Sequence, residues 1–308
     1  MPGGPIVDSM GVMSRTGRMP TREPGTASLG RTDAGPGEDI IIRPPGAFAH
    51  LDLPELWRYR GTLWRKVRQR VRIEYDDMWL GLFWAVARPL IMVFVFWAFR
   101  GLSQARIGVQ MPYILYVYSG LVAWFYFTEV ATGVAMSLVR DAGLIQKVYF
   151  PRLISPLSYL FGETYNLALA AIPLVIMMVA LGEYPGGNLL LLPAVLAQLM
   201  LLALGVGMVF SSLVLLSRDW ERVLQFSLYL GLWVSPVIYS LEMIPQRYTL
   251  LYLVNPVGGS LLALRAALFG SLDFPWHAWG YAAVFSLVLA GIGLLMFQRS
   301  ERNLTDRL

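Results

Sequence analysis

The sequence predicts an all-α integral membrane protein with six transmembrane helices, an N-terminal amphipathic interface helix and an outer-face re-entrant helix pair. Three observations carry that fold class. Of 308 residues, 56% are hydrophobic and 15% charged, with a mean hydropathy of +0.55, whereas soluble domains are about 25% charged. Apolar stretches long enough to cross a hydrocarbon core, roughly 20 residues each, recur six times. The basic residues stand beside those stretches rather than on a separate basic domain, so the net charge of +5 is explained by membrane topology and nucleic acid is excluded as a partner. The absence of cysteine removes disulfides, thiolate nucleophiles and cysteine zinc sites, and His50 and His277 are the only imidazoles.

Residues 1–50 hold sixteen Gly or Pro and no apolar periodicity, which predicts a disordered cytoplasmic tail unable to bury a core. No apolar stretch precedes Leu51, so a secretory signal is not expected. Residues 51–78 form the predicted amphipathic helix. Leu56, Leu63, Val67 and Val71 recur at helical spacing, Trp57 and Trp64 flank them, and seven basic residues from Arg58 to Arg72 occupy much of the remaining surface. Basic and Trp-bearing faces suit a helix lying in the membrane interface; the alternative is a solvated helix packed on protein.

The six-span domain covers residues 79–298, with spans at Trp79–Phe99, Pro112–Met136, Leu153–Leu181, Leu189–Leu216, Val223–Leu241 and His277–Phe297. A seventh apolar stretch, at 249–270, is broken by Asn255, Pro256, Gly258 and Gly259. Parity decides its status. With six crossings and the N-terminus inside, fifteen basic residues lie on the cytoplasmic side, against four (Arg100, Arg106, Arg247 and Arg265) outside. A seventh crossing would put the Arg-bearing tail at 299–308 outside, so 249–270 is expected to enter and turn back. Non-helical backbone at that depth must be buried in protein or face water.

Between spans two and three the chain reads Arg140-Asp-Ala-Gly-Leu-Ile-Gln-Lys-Val-Tyr-Phe-Pro-Arg152. This mixture of apolar, aromatic and basic residues suits a short helix that docks on a cytosolic partner. Further motifs follow: Pro156-Leu-Ser158, Arg218-Asp219, Ser235-Pro-Val-Ile-Tyr239, and Asn255-Pro256 ahead of Arg265. Taken in this order and spacing, they resemble the polysaccharide-export permeases of the ABC-2 transporter superfamily, which export O-antigen, teichoic acid and capsule. The resemblance runs from about Leu53 to Leu308.

That resemblance implies a homodimeric permease in the bacterial inner membrane with both termini cytoplasmic. It also implies two copies of a separate cytosolic ATPase, which binds ATP and Mg, and a channel for a lipid-linked polysaccharide. ATPase coupling is then expected at Leu144, Gln146, Lys147, Tyr149, Phe150 and Arg152. The residues agree that the energy source is elsewhere: the only lysines, Lys66 and Lys147, do not follow Gly, so there is no phosphate-binding P-loop. No cofactor or metal site is expected in the chain itself.

Candidate substrate-channel residues are Tyr116, Trp124, Phe127, Glu163 and Asn166. Aromatic rings present flat apolar faces on which sugar C–H surfaces can stack and slide, although tyrosines near Pro112 equally suit an interfacial aromatic belt. Ionisable groups at bilayer depth cost several kcal/mol unless paired or hydrated (about 3 kcal/mol on insertion scales), which points Glu129, Glu163 and Arg88 toward protein or a pore. For Arg88 the expected role is a structural pair with a glutamate.

The functional expectation is export of a lipid-linked glycan of the O-antigen or cell-wall galactan type. Twenty-three arginines against two lysines suggest a GC-rich genome and hence the galactan. Two alternatives stand beside it. An ABC-2 exporter of a small molecule or lipid would share the spans, but not the aromatic density of span two. A membrane glycosyltransferase or acyltransferase would need paired acids, or a His with an acid, in an extramembrane loop.

Overall fold

The computed structural model describes residues 53–76, 81–103, 111–145, 147–148, 150–240 and 254–305. These residues form helices and connecting turns, with no strand among them. The tail at 1–50 lies outside the described residues. The expected interface helix is two helices, α1 (Leu53–Arg58) and α2 (Arg60–Asp76), joined at Tyr59. Val67 of α2 is buried where α2 lies along α7 (Ile154–Leu181), while Trp57 and Trp64 remain exposed. The helix therefore packs on protein by its apolar stripe and keeps its tryptophans outward.

Next come α3 (Gly81–Ser103), α4 (Tyr113–Ala135), the short α5 (Ser137–Arg140) and α6 (Ala142–Ile145), then α7. A 3-10 turn at Gly187–Leu191 leads into α8 (Leu192–Leu216), followed by α9 (Asp219–Val234), α10 (Pro256–Leu268) and α11 (Trp276–Thr305). The local chemistry explains several of these limits. Pro156 sits in the first turn of α7, where backbone N–H groups have no helical acceptor anyway. Gly182 ends the same helix at φ 74, and its N–H and that of Glu183 reach back to the last carbonyls. The side chain of Asn255 accepts the N–H of Val257 and Pro256 occupies the first turn, so α10 starts there.

Among the described residues, four segments are long and apolar enough to cross a membrane: Tyr113–Ala135, Ile154–Leu181, Gly187–Leu216 and Trp276–Ser300. The expected span at Val223–Leu241 is shorter in the structure. Its helix stops at Val234 because Ser235 precedes Pro236 and takes extended backbone. Within α3 the described apolar helix is Val86–Phe99. At the far end α11 runs on past Phe297 to Thr305, so the expected tail at 299–308 begins as helix.

Burial ranks the helices. In α4, 78% of the spanning window is buried, against 50% for the segment containing α8, 22% for α11 and 17% for α7. So α4 is the axis, with α7, α8, α3, α9 and α10 around it and α11 beyond α8 and α10. Small residues allow the close approaches. A Cβ on Gly205 would stand 2.9 Å from Ala290 N, and one on Gly259 would meet Ala278 O at 2.6 Å. Without a hydrophobic drive between helices in lipid, such backbone proximity supplies much of the association. Across the α8–α11 seam Gln198 donates to Ser286 Oγ at 2.8 Å.

Candidate functional site

The two ends of α4 carry different chemistry. At its C-terminal end the chain passes through α5 and α6 toward α7. Lys66 of α2 reaches across to this segment, with Nζ 2.6 Å from Asp141 Oδ2 and 3.0 Å from Ser155 Oγ, and 4.8 Å from the centre of the Phe150 ring. Phe150 is thereby buried at 5% exposure, whereas Leu144 is 43% and Val148 54% exposed. Of the residues expected to contact an ATPase, Leu144 and Lys147 lie on the surface and Arg152 is half-buried. Phe150 instead faces inward as an anchor, and Gln146 and Tyr149 lie outside the described residues.

Beside this segment opens a cleft of about 590 Å³, lined by Arg70, Glu129, Thr132, Arg140, Tyr159 and Glu163 among others. The Arg70 guanidinium lies 2.9 Å from the centre of the Tyr159 ring, and that of Arg140 lies 5.8 Å from it. Gly133 makes room for the ring, since a Cβ there would come within 2.5 Å of Tyr159 Cδ1. Glu129 pairs with Arg88, Nη1 to Oε1 at 2.6 Å, which is the structural Arg–Glu pair the sequence predicts. Glu163 accepts a 2.9 Å hydrogen bond from Asn166 Nδ2. One member of the expected polar pair thus lines a cavity and the other orients it. Among the described residues no cluster of His, Asp and Glu could hold a metal ion.

Midway along α4, Trp124 and Phe127 lie against one another, ring centres 5.7 Å apart, each 4% exposed. Trp124 also rests on Gly231 of α9, where a Cβ would stand 2.8 Å from its ring edge. Trp124 is therefore covered by α9.

At the N-terminal end of α4 the motifs counted in the sequence as separate marks meet. Arg265, counted in the sequence among the outside charges, is 1% exposed and buried in the bundle. Its Nη1 donates to Pro236 O at 2.7 Å, and its Nη2 to Val237 O at 2.8 Å and Tyr116 O at 3.0 Å. The guanidinium also lies 3.5 Å from the centre of the Tyr116 ring. Tyr116 Oη donates to Tyr239 O at 2.9 Å, and Asn255 Nδ2 donates to Ser235 Oγ at 2.9 Å. Gly258 and Gly259, expected to form a turn with Asn255 and Pro256, are buried within the first turns of α10. The first arm of the expected re-entrant pair, beginning at 249, lies outside the described residues up to 253.

The family model described as "ABC-2 type transporter" matches residues 61–269, more than half of the chain. The chain belongs to the ABC-2 type transporter family. Its relatives include an O-antigen export system permease protein RfbA from Klebsiella pneumoniae, 26% identical over 77% of this chain and 90% of that one. The O-antigen export permease RfbA of Myxococcus xanthus is 23% identical over 69% and 82% of the two chains. The polysialic acid transport protein KpsM of Escherichia coli is 24% identical over 77% and 93%. The matched region of this ABC-2 protein contains every contact of Arg265 described above, together with the cleft and the segment around Phe150.

The Arg265 cluster is the feature that sequence reasoning missed. Its signals were present as Ser235-Pro236, Asn255-Pro256 and Arg265, but a linear reading cannot show that one guanidinium bridges three carbonyls from two distant elements.

Proposed function

We propose that this ABC-2 chain is the permease subunit of a transporter that exports a lipid-linked polysaccharide across the bacterial inner membrane. It acts as a homodimer with two copies of a separate ATPase, which binds ATP and Mg. Six crossings, including α3 and α9, and cytoplasmic termini complete this reading. The observation that carries it is the similarity, over about three quarters of the chain, to permeases of O-antigen and polysialic acid export.

The geometry supports a division of labour along α4. Exposed Leu144 and Val148 give an ATPase an apolar hold, and Phe150, pinned by Lys66, links that hold to α2. The cleft beside it offers carboxylates, guanidiniums and a tyrosine ring, groups that can hydrogen-bond and stack with sugars as a chain enters. Further along, Trp124, with Phe127 against it, provides a stacking face once α9 moves aside. Galactan is the cargo the arginine-rich composition favours.

Depletion of the chain in its own cells provides the test. Lipid-linked glycan should accumulate on the cytoplasmic leaflet and fall at the surface, and the ATPase encoded with it should co-purify with the chain. Normal surface glycan after depletion, with loss of a small-molecule or lipid efflux instead, would overturn the polysaccharide reading.

A further inference from the structure

The non-helical stretch Ser235–Tyr239 at the end of α9 is held by one side chain from each of three places: Arg265 and Asn255 beside or within α10, and Tyr116 on α4. We propose that Arg265 is the positioning residue of a latch, in which its guanidinium fastens the end of α9 across α4 and α10 and keeps the Trp124 ring covered until the latch opens. The inference rests on the reading of the chain as an export permease.

Four features distinguish a releasable latch from a fixed pin. First, among the described residues no carboxylate lies within ion-pair distance of Arg265; its acceptors are main-chain carbonyls, so release separates no ion pair. Second, its Nε is buried without a hydrogen-bond partner, so the guanidinium is incompletely satisfied even when the latch is closed. Third, α9 is otherwise lightly held. Only Leu224 and Leu232 are buried, while Val223, Phe226, Tyr229, Leu230 and Trp233 are exposed, so the latch is a large share of what fixes its end. Fourth, the space that admits the guanidinium is a glycine. A Cβ on Gly120 would lie 2.9 Å from Val237 O and would collide with Arg265 Nη2.

Coverage of the indole follows from the same geometry. Gly231 lies directly over Trp124 and is one turn of helix before Ser235, whose N–H donates to Gly231 O at 2.9 Å. Displacing the end of α9 therefore lifts the backbone off the indole. One movement both opens this end of the protomer and exposes the indole face.

The test uses the full chain in lipid nanodiscs, where a membrane-impermeant maleimide reaches both faces. Because the sequence contains no cysteine, Leu232→Cys reports the inner face of α9, and Val130→Cys, fully buried on α4, reports general loosening. Each is combined with Arg265→Lys, which keeps the charge and loses the fork, and separately with Gly120→Ala, which keeps the guanidinium and crowds it. Labelling at position 232 should accelerate about tenfold in both backgrounds, the change expected when one charged hydrogen bond is lost from a two-state closure, while position 130 stays protected. Unchanged labelling at 232, or equal acceleration at 232 and 130, would overturn the latch. Should Arg265→Lys fail to insert, Gly120→Ala decides alone. No glycan enters the assay, so a latch that holds in a chain that exports no glycan would remove only the functional reading.

Discussion

The two ends of α4 hold their charges in opposite ways. At the C-terminal end four cations have an ionic or aromatic counterpart: Lys66 faces Asp141 and Phe150, Arg88 faces Glu129, and Arg70 and Arg140 flank Tyr159. The Arg88–Glu129 pair is about half exposed, and the cleft lies open beside it. At the N-terminal end one guanidinium is fully enclosed, faces three main-chain carbonyls and the Tyr116 ring, and has no carboxylate partner among the described residues. The difference teaches where each end is adaptable. Pairs near water can be exchanged at small cost, since exposed ion pairs contribute about 0–1 kcal/mol. A buried cation on carbonyls has no such substitute, and whatever displaces it must move backbone.

The comparison can be broken first at its midpoint, where the largest effect is expected. Trp124→Ala would remove a 4% exposed indole from between α4 and α9 and cost about 3–5 kcal/mol as a core truncation. It should also expose α9 to displacement and reduce export, whereas Trp124→Phe, which keeps a ring, should retain most of both. Unfolding of the purified protein in mixed micelles, scored beside surface glycan, separates packing from transport. Normal export by a fully assembled Ala variant would show that the ring has no part in the pathway.

A smaller effect is expected from Lys66→Met. The side chains of Lys66 and Asp141 are 12% and 16% exposed, so this pair is better sheltered than a surface bridge, and its loss should cost about 1–3 kcal/mol. Because Lys66 ties α2 to the segment before α7, stimulation of the ATPase by substrate should fall further than basal ATP hydrolysis. The reversed pair Lys66→Asp with Asp141→Lys should restore part of the stimulation. Equal losses in both rates, with no recovery on reversal, would reduce Lys66 to a packing residue and remove the mechanical role of this end.

How much of this was legible in the sequence follows from the range of each interaction. Helix positions depend on neighbouring residues, and α4, α7, α8 and α11 overlie their expected apolar stretches closely. The early end of α9 was also written locally, in Ser235-Pro236, yet the apolar run continuing to Leu241 masked it. The burial of Arg265 was not legible because topology rules count charges by segment and cannot see that Gly120, 145 positions earlier, leaves room for a guanidinium. Likewise Phe150 reads as an exposed docking residue in its own loop. In the fold it is buried, with Lys66 of α2, paired to Asp141, standing over its ring.

The smallest stability effect and the most selective functional one should come from Leu144→Asp. This residue is 43% exposed in α6, a helix with no buried residue, so the substitution should change stability by no more than about 0.5 kcal/mol. A carboxylate in the centre of an apolar docking surface would nevertheless be desolvated on binding, and losing the leucine removes apolar contact as well, so affinity for an ATPase should fall at least about tenfold. Lys66 would still hold Asp141 and Phe150, which keeps the shape of the segment and isolates the surface itself. Co-purification of the ATPase at several salt concentrations, with the thermal stability of the permease measured in the same preparations, checks both halves. A variant as stable as the parent that still retains its ATPase would move the docking surface away from α6, and the contrast between the two ends of α4 would then lose its assignment of this end to energy coupling.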